Sequence, residues 1–261
     1  MRADIFLYTH GYAKGRSGAT ALIMSGVVIN GIKIKKPAQN VAECDEYDVI
    51  IENPQRYVSR GGLKLEAALK EFNISPKWLH CIDLGASTGG FTDCLLQNGA
   101  ELVYAVDVGH GQLDPSLLSD KRVISMEGMN ARDLKMNDIG ERCPLVVSDL
   151  SFISQSLVYG TVNDILCDDG HFISLIKPQF EAGPENIGRG GLVKDKKIHI
   201  KVIERLFSLA RAAGLAPCDL VPSPIHGGDG NVEYLALFKK GDAEFFPDIA
   251  GVVNTAMTKA K

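Results

Sequence analysis

The amino-acid sequence predicts an α/β protein: a large domain on a mostly parallel, doubly wound sheet, preceded by a small N-terminal α+β module. Two observations predict the large domain. An apolar run at 79–84 leads through Asp83-Leu-Gly-Ala-Ser-Thr-Gly-Gly90 into the helical recurrence of Phe91, Cys94, Leu95 and Leu96, which reads as strand, glycine turn and helix. Beyond it, strand-length apolar runs keep alternating with helix-like stretches. A third observation predicts the module: two short helical patterns and then β-branched runs around Asn30-Gly31, all within residues 1–53.

In that module, residues 2–8 have apolar spacing for a helix, Gly15-Arg16-Ser17 opens a second at 18–25, and Gly26-Val-Val-Ile-Asn-Gly31 reads as a strand and hairpin turn. A further strand is expected at 48–51. Residues 54–63, with Pro54, Gly61 and Gly62, read as a linker. The large domain is expected over 64–241, beginning with a helix at 63–72 that carries Lys64 in its first turn. Strands are expected at 79–84, 101–107, 122–126, 144–149 and 172–176. A helix at 199–214 has the apolar face Ile200, Ile203, Leu206, Phe207 and Ala210, and two last strands fall near 216–221 and 233–238. Residues 242–261 read as a short tail with some helical character.

Composition is that of an ordinary globular chain, 261 residues with 45% hydrophobic and 23% charged. No apolar run is long enough to span a bilayer, and no basic-then-apolar signal opens the chain. Six cysteines without metal-ligand spacing suggest small core residues, no metal site, and a reduced, cytoplasmic protein. Net charge is −4, but residues 1–70 hold ten basic against seven acidic residues, and the remainder eighteen against twenty-five. A mildly basic head on an acidic body suits a nucleic-acid contact at the head.

The glycine turn is the centre of the chemistry. Gly85, Gly89 and Gly90 let a ligand approach the backbone, and the following helix leaves its first N–H groups for an anion. The pattern is not G-x-G-x-x-G. Its D-x-G-x-x-x-G-G form, with Asp83 inside, suits S-adenosylmethionine, whose methionine amine and carboxylate need partners of both signs. Ser87 and Phe91 belong to the same stretch. Asp107 ends the next strand 22 residues past Gly85, a distance that suits a ribose hydroxyl. Asn130 lies beyond the third strand, and Asp149 ends the fourth. Asp149 and Lys177 should project over the carboxyl edge of the sheet, with Lys64 and Glu233 entering from a helix start and a strand start. Two lysines and two acids in one cleft are costly as isolated charges but can satisfy one another.

The residues Tyr57-Val-Ser-Arg-Gly-Gly-Leu-Lys64, Asp83 through Asp93, Ser148-Asp-Leu-Ser-Phe-Ile-Ser154, Leu175-Ile-Lys-Pro-Gln-Phe-Glu181 and Gly230-Asn-Val-Glu233 together resemble the TlyA-type (haemolysin A) rRNA methyltransferases. These join an S4 RNA-binding domain to an FtsJ-like (RrmJ-type) 2′-O-ribose methyltransferase domain. Arg2-Ala-Asp4, Arg16-Ser17 and Gly26 through Gly31 carry the S4 part of the resemblance. It implies a Rossmann-like methyltransferase domain, S-adenosylmethionine as donor, and a ribose 2′-hydroxyl of ribosomal RNA, with cytidine the expected nucleoside, as acceptor. It places the family's Lys-Asp-Lys-Glu tetrad on Lys64, Asp149, Lys177 and Glu233. It also points to Lys14, Arg16, Lys33, Lys35, Lys36 and Arg60 as RNA contacts. The chain departs from the pattern at Gly128-Met129, where a polar pair is expected, and at His226, where a lysine is expected.

A ribose hydroxyl is a poor nucleophile, so the enzyme must align it for in-line displacement and take its proton. Lys177 is assigned as base, with Lys64 as like-charge neighbour and hydroxyl positioner, and Asp149 and Glu233 orienting them. A second ammonium and burial favour a neutral lysine, while carboxylates oppose it. Three other readings remain open at this point: a lytic protein, an RNA-binding protein with a non-catalytic methyltransferase fold, and a methyltransferase with another acceptor.

Overall fold

The computed structural model describes residues 1–13, 15–52, 56–227, 230–241 and 247–259. The chain forms two compact units, Met1–Arg56 and Tyr57–Lys261.

The smaller unit holds helices α1 (Ala3–Thr9) and α2 (Arg16–Gly26) against a sheet of order β2-β1-β3, from β1 (Val27–Ile29), β2 (Ile32–Ile34) and β3 (Val49–Ile51). The β1–β2 turn needs two left-handed residues, and Asn30 (φ 51°) and Gly31 (φ 75°) supply them. Phe6, Leu7, Ala19, Ile23, Val27 and Ile29 form its core. Beneath the surface, Asp4 is gripped by two guanidiniums, Arg2 Nε at 3.0 Å and Arg16 Nη2 at 3.0 Å.

The larger unit runs α3 (Gly61–Glu71), β4 (His80–Leu84), α4 (Gly90–Gln97), β5 (Leu102–Asp107), α5 (Pro115–Leu118), β6 (Val123–Glu127), α6 (Met136–Ile139), β7 (Cys143–Ser148), α7 (Tyr159–Ile165), β8 (Leu166–Ile176), α8 (Pro178–Glu181), α9 (Lys196–Ala212), β9 (Leu215–Pro222), β10 (Tyr234–Lys240) and α10 (Ile249–Lys259). The sheet order is β6-β5-β4-β7-β8-β10-β9, with β10 antiparallel to both its neighbours. Alternation along the strands feeds two apolar layers. Ile82, Leu84 and Val146 face one cluster with α7, α9 and α10, while Cys81, Leu145 and Val147 face the other with α3 and α4. No helix among the described residues is long and apolar enough to cross a membrane.

Three expectations are corrected. Residues 57–63 are not linker. Tyr57 is buried, the Val58 N–H donates to Asp93 Oδ2 at 2.8 Å, and α3 already starts at Gly61. Pro54 and Gln55 lie outside the described residues. Nor is 249–259 a tail: Val253 and Ala256 of α10 are buried in the core cluster that α9 completes. β8 is longer than expected because it bulges. Cys143 pairs with Leu166 and Leu145 with His171, so the polar residues 167–170 loop out without ending the strand.

Candidate active site

β4 lies between β5 and β7, where the chain's winding reverses, so the loops after β4 and β7 part and leave a crevice at their carboxyl ends. Two clefts open there. The smaller, about 270 Å³, is bounded by Arg60, Lys64, Gly90, Phe91, Asp149 and Lys177 among others. The larger, about 470 Å³, has Asp107, Asn130 and the apolar Met129, Leu150 and Ile153 in its walls. Gly85, Ser87, Asp149 and Ser151 line both, so the clefts are continuous.

The tetrad assembles as two ion pairs. Lys64 Nζ donates to Glu233 Oε2 at 2.5 Å, with the two side chains 10% and 2% exposed. Gln179 Nε2 donates to the other oxygen of Glu233 at 3.1 Å. Lys177 Nζ lies 2.5 Å from Asp149 Oδ1 and donates a hydrogen bond to Ser151 Oγ at 2.8 Å. Each lysine thus meets its own carboxylate, rather than Lys64 serving chiefly as a bare like charge beside Lys177. Lys177 sits at the N-cap of α8, directly after β8, and Pro178 forces that turn.

The glycines divide the work. Gly85 has φ 83°, and a Cβ there would lie 2.8 Å from the Asp149 carbonyl oxygen, so glycine alone lets the two loops meet over the crevice. A Cβ on Gly90 would lie within van der Waals overlap of Ser59 Oγ, so this glycine admits the residues before α3. The N-termini of α3 and α4 consequently converge on the smaller cleft beside Arg60, a positive setting for a carboxylate. Gly89 lines neither cleft; its missing Cβ makes room for Leu113 and Leu117.

Asp107 accepts from the Ser87 N–H at 2.8 Å and the Gly109 N–H at 2.7 Å, which ties the glycine turn to the end of β5, and the residue lines the larger cleft. Asn130 Oδ1 accepts from the Arg132 backbone at 3.1 Å. Asp83 is fully buried and lines neither cleft. Its Oδ2 accepts from Thr92 Oγ1 at 2.7 Å, and its Oδ1 has no hydrogen-bond partner among the described residues. Burial pushes this carboxyl up to about 7 against the pull of Thr92. The folded form holds the proton more tightly than the unfolded chain, so this group's contribution to stability is lost as pH climbs from about 4 through about 7. Asp83→Asn should flatten the fall in urea midpoint between pH 5 and 8, and an unchanged slope would exclude Asp83 as its source.

Ser59, Ser151, Phe152, Gln179 and Phe180 lie inside the motifs quoted above, yet none is assigned a role from sequence. Phe152 is 86% exposed at φ 66°, with its ring 5.0 Å from that of Phe180. Of the expected RNA contacts, Arg60 lines the smaller cleft, and Arg16 is shared with Asp4. Lys33 pairs with Glu52 at 2.7 Å, Lys35 and Lys36 are exposed, and Lys14 lies outside the described residues.

The FtsJ-like methyltransferase model matches residues 57–240 and the S4 domain model residues 1–46. The chain belongs to the FtsJ-like methyltransferase family. It is 41% identical to the 16S/23S rRNA (cytidine-2'-O)-methyltransferase TlyA of Mycobacterium tuberculosis over 89% of this chain and 87% of that one. It is also 41% identical to hemolysin A of Brachyspira hyodysenteriae, over 91% and 99%. A solved structure from Streptococcus thermophilus that carries a hemolysin name superposes with a TM-score of 0.79 at 42% identity, covering 99% of this chain and 96% of that chain.

Proposed function

We propose that the protein transfers a methyl group from S-adenosylmethionine to a cytidine ribose 2′-hydroxyl of ribosomal RNA, free or in ribosomal subunits, in the cytoplasm. The carrying observation is that Lys177 and Asp149 meet 2.5 Å apart at the junction of two continuous clefts.

The residues fit this donor. The larger cleft offers Asp107 to ribose hydroxyls and Met129, Leu150 and Ile153 to a base. The smaller offers Arg60 and two helix N-termini to a carboxylate. When bound, the donor supplies an electrophilic methyl on a sulfonium. Lys177, having first released its own proton to solvent, takes the hydroxyl proton, and Asp149 and Ser151 hold the ammonium that re-forms. Lys64, fixed by Glu233, positions the hydroxyl. The exposed Phe152 ring, backed by Phe180, suits stacking of a nucleobase drawn out of an RNA helix.

RNA affinity tests the role of the head. Lys35→Ala with Lys36→Ala should weaken binding and reduce the slope of log affinity against log salt by up to about 2, while S-adenosylhomocysteine affinity stays put. An unchanged salt slope would remove these lysines from the interface.

A further inference from the structure

One buried carboxylate outside the tetrad connects both walls of the reacting centre. Glu181 closes α8, four residues after Lys177, and its side chain is 1% exposed. Its Oε1 accepts from the Gln155 N–H at 2.8 Å, and its Oε2 accepts from Ser154 Oγ at 2.8 Å and from Arg205 Nη2 at 3.0 Å. Arg205 also donates to the Glu181 carbonyl at 2.7 Å, tying α8 to α9. Gln155 is buried too. It accepts from Ser148 Oγ at 3.0 Å and donates to the Leu175 carbonyl at 3.1 Å, so it spans the ends of β7 and β8. Between Ser148 and Ser154 lie Asp149 and Ser151, the two groups that Lys177 touches. Glu181 itself lines neither cleft.

We infer that Glu181 is a positioning residue: it clamps the segment 149–154 to α8 and so sets Lys177 against Asp149 and Ser151. The carboxylate is suited to this because it accepts three hydrogen bonds at once, two from the adjacent Ser154 and Gln155 and one from the Arg205 cation on α9. Without it, the Gln155 N–H, the Ser154 hydroxyl and Arg205 lose their common acceptor, and the loop bearing Asp149 is released from the helix bearing Lys177. A shift of about 1 Å between reacting groups costs on the order of 10²-fold in rate.

The inference rests on the methyl-transfer reading for its kinetic test, and a second readout is independent of that reading. Glu181→Gln keeps an acceptor for Gln155 but turns a donor toward Arg205. It should lower the turnover number about 10- to 100-fold, with S-adenosylhomocysteine affinity changed less than about 2-fold. Arg205→Met, which removes the cation from a half-exposed position, should lower turnover less, and the double variant should be no worse than Glu181→Gln alone. Acylation of amines followed by peptide mass spectrometry should show Lys177 labelled several-fold faster, relative to the exposed Lys70, in either variant than in the wild type. That result would hold even if the wild type methylated no RNA. A Glu181→Gln protein with wild-type turnover and wild-type Lys177 labelling, whatever its melting temperature, would overturn the inference. If Glu181→Gln does not fold, the same two readouts in Arg205→Met and Ser154→Ala decide.

Discussion

Lys177→Ala is expected to cut methyl transfer by about 10²–10⁴-fold while S-adenosylhomocysteine binds within about twofold of wild type. The lysine lies beside Asp149 and Ser151 at the edge of the smaller cleft, and the role proposed for it falls in the step that deprotonates the acceptor. Binding energy used only in the transition state appears in turnover and not in ground-state affinity. Lys177→Arg separates two roles. A guanidinium could keep the ion pair with Asp149, but it holds its proton throughout the accessible pH range and cannot act as base. The arginine variant should therefore be nearly as inactive as the alanine one. Retention of most of the activity would mean that residue 177 only closes the cleft.

Gly85→Ala is expected to weaken S-adenosylhomocysteine binding by more than about tenfold. Two costs coincide at this position. The backbone is left-handed at φ 83°, which a Cβ makes unfavourable by about 1–3 kcal/mol. The new Cβ would also meet the Asp149 carbonyl at 2.8 Å and the Leu150 side chain at 3.0 Å, both in walls of the cofactor clefts. Backbone cannot swing aside as a side-chain tip can, so the loops after β4 and β7 would be forced apart. Gly111→Ala is the control: φ is 65°, yet nothing among the described residues lies within 4 Å of its added Cβ. It should cost some stability and little binding. Equal loss of affinity in the two variants, read by calorimetry, would assign the effect to backbone strain alone.

The strands of the large sheet were legible because parallel strands covered on both faces are continuous apolar runs. The glycine turn was legible as punctuation, but its facing was not. Asp83 and Gly89 belong to the motif, yet they point behind the turn, toward Thr92 and toward Leu113 and Leu117. Only the sheet neighbours decide which side of such a turn meets a ligand. α5, α6 and α8 have four residues each, too few for a helical period. Gly61 and Gly62 imitate a linker because glycine marks loops, whereas Gly62 is there to pack against the Tyr57 ring. The bond from Gln155 to Glu181 spans 26 residues, and no local pattern announces a clamp of that kind.

The proposed function names one product, a 2′-O-methyl group on ribosomal RNA. Mapping 2′-O-methylation in ribosomal RNA from cells with and without this protein tests that assignment most directly. At least one cytidine should lose its mark when the protein is absent, and should regain it with the wild-type chain but not with Lys177→Ala. Identical maps, or full restoration by Lys177→Ala, would contradict the account.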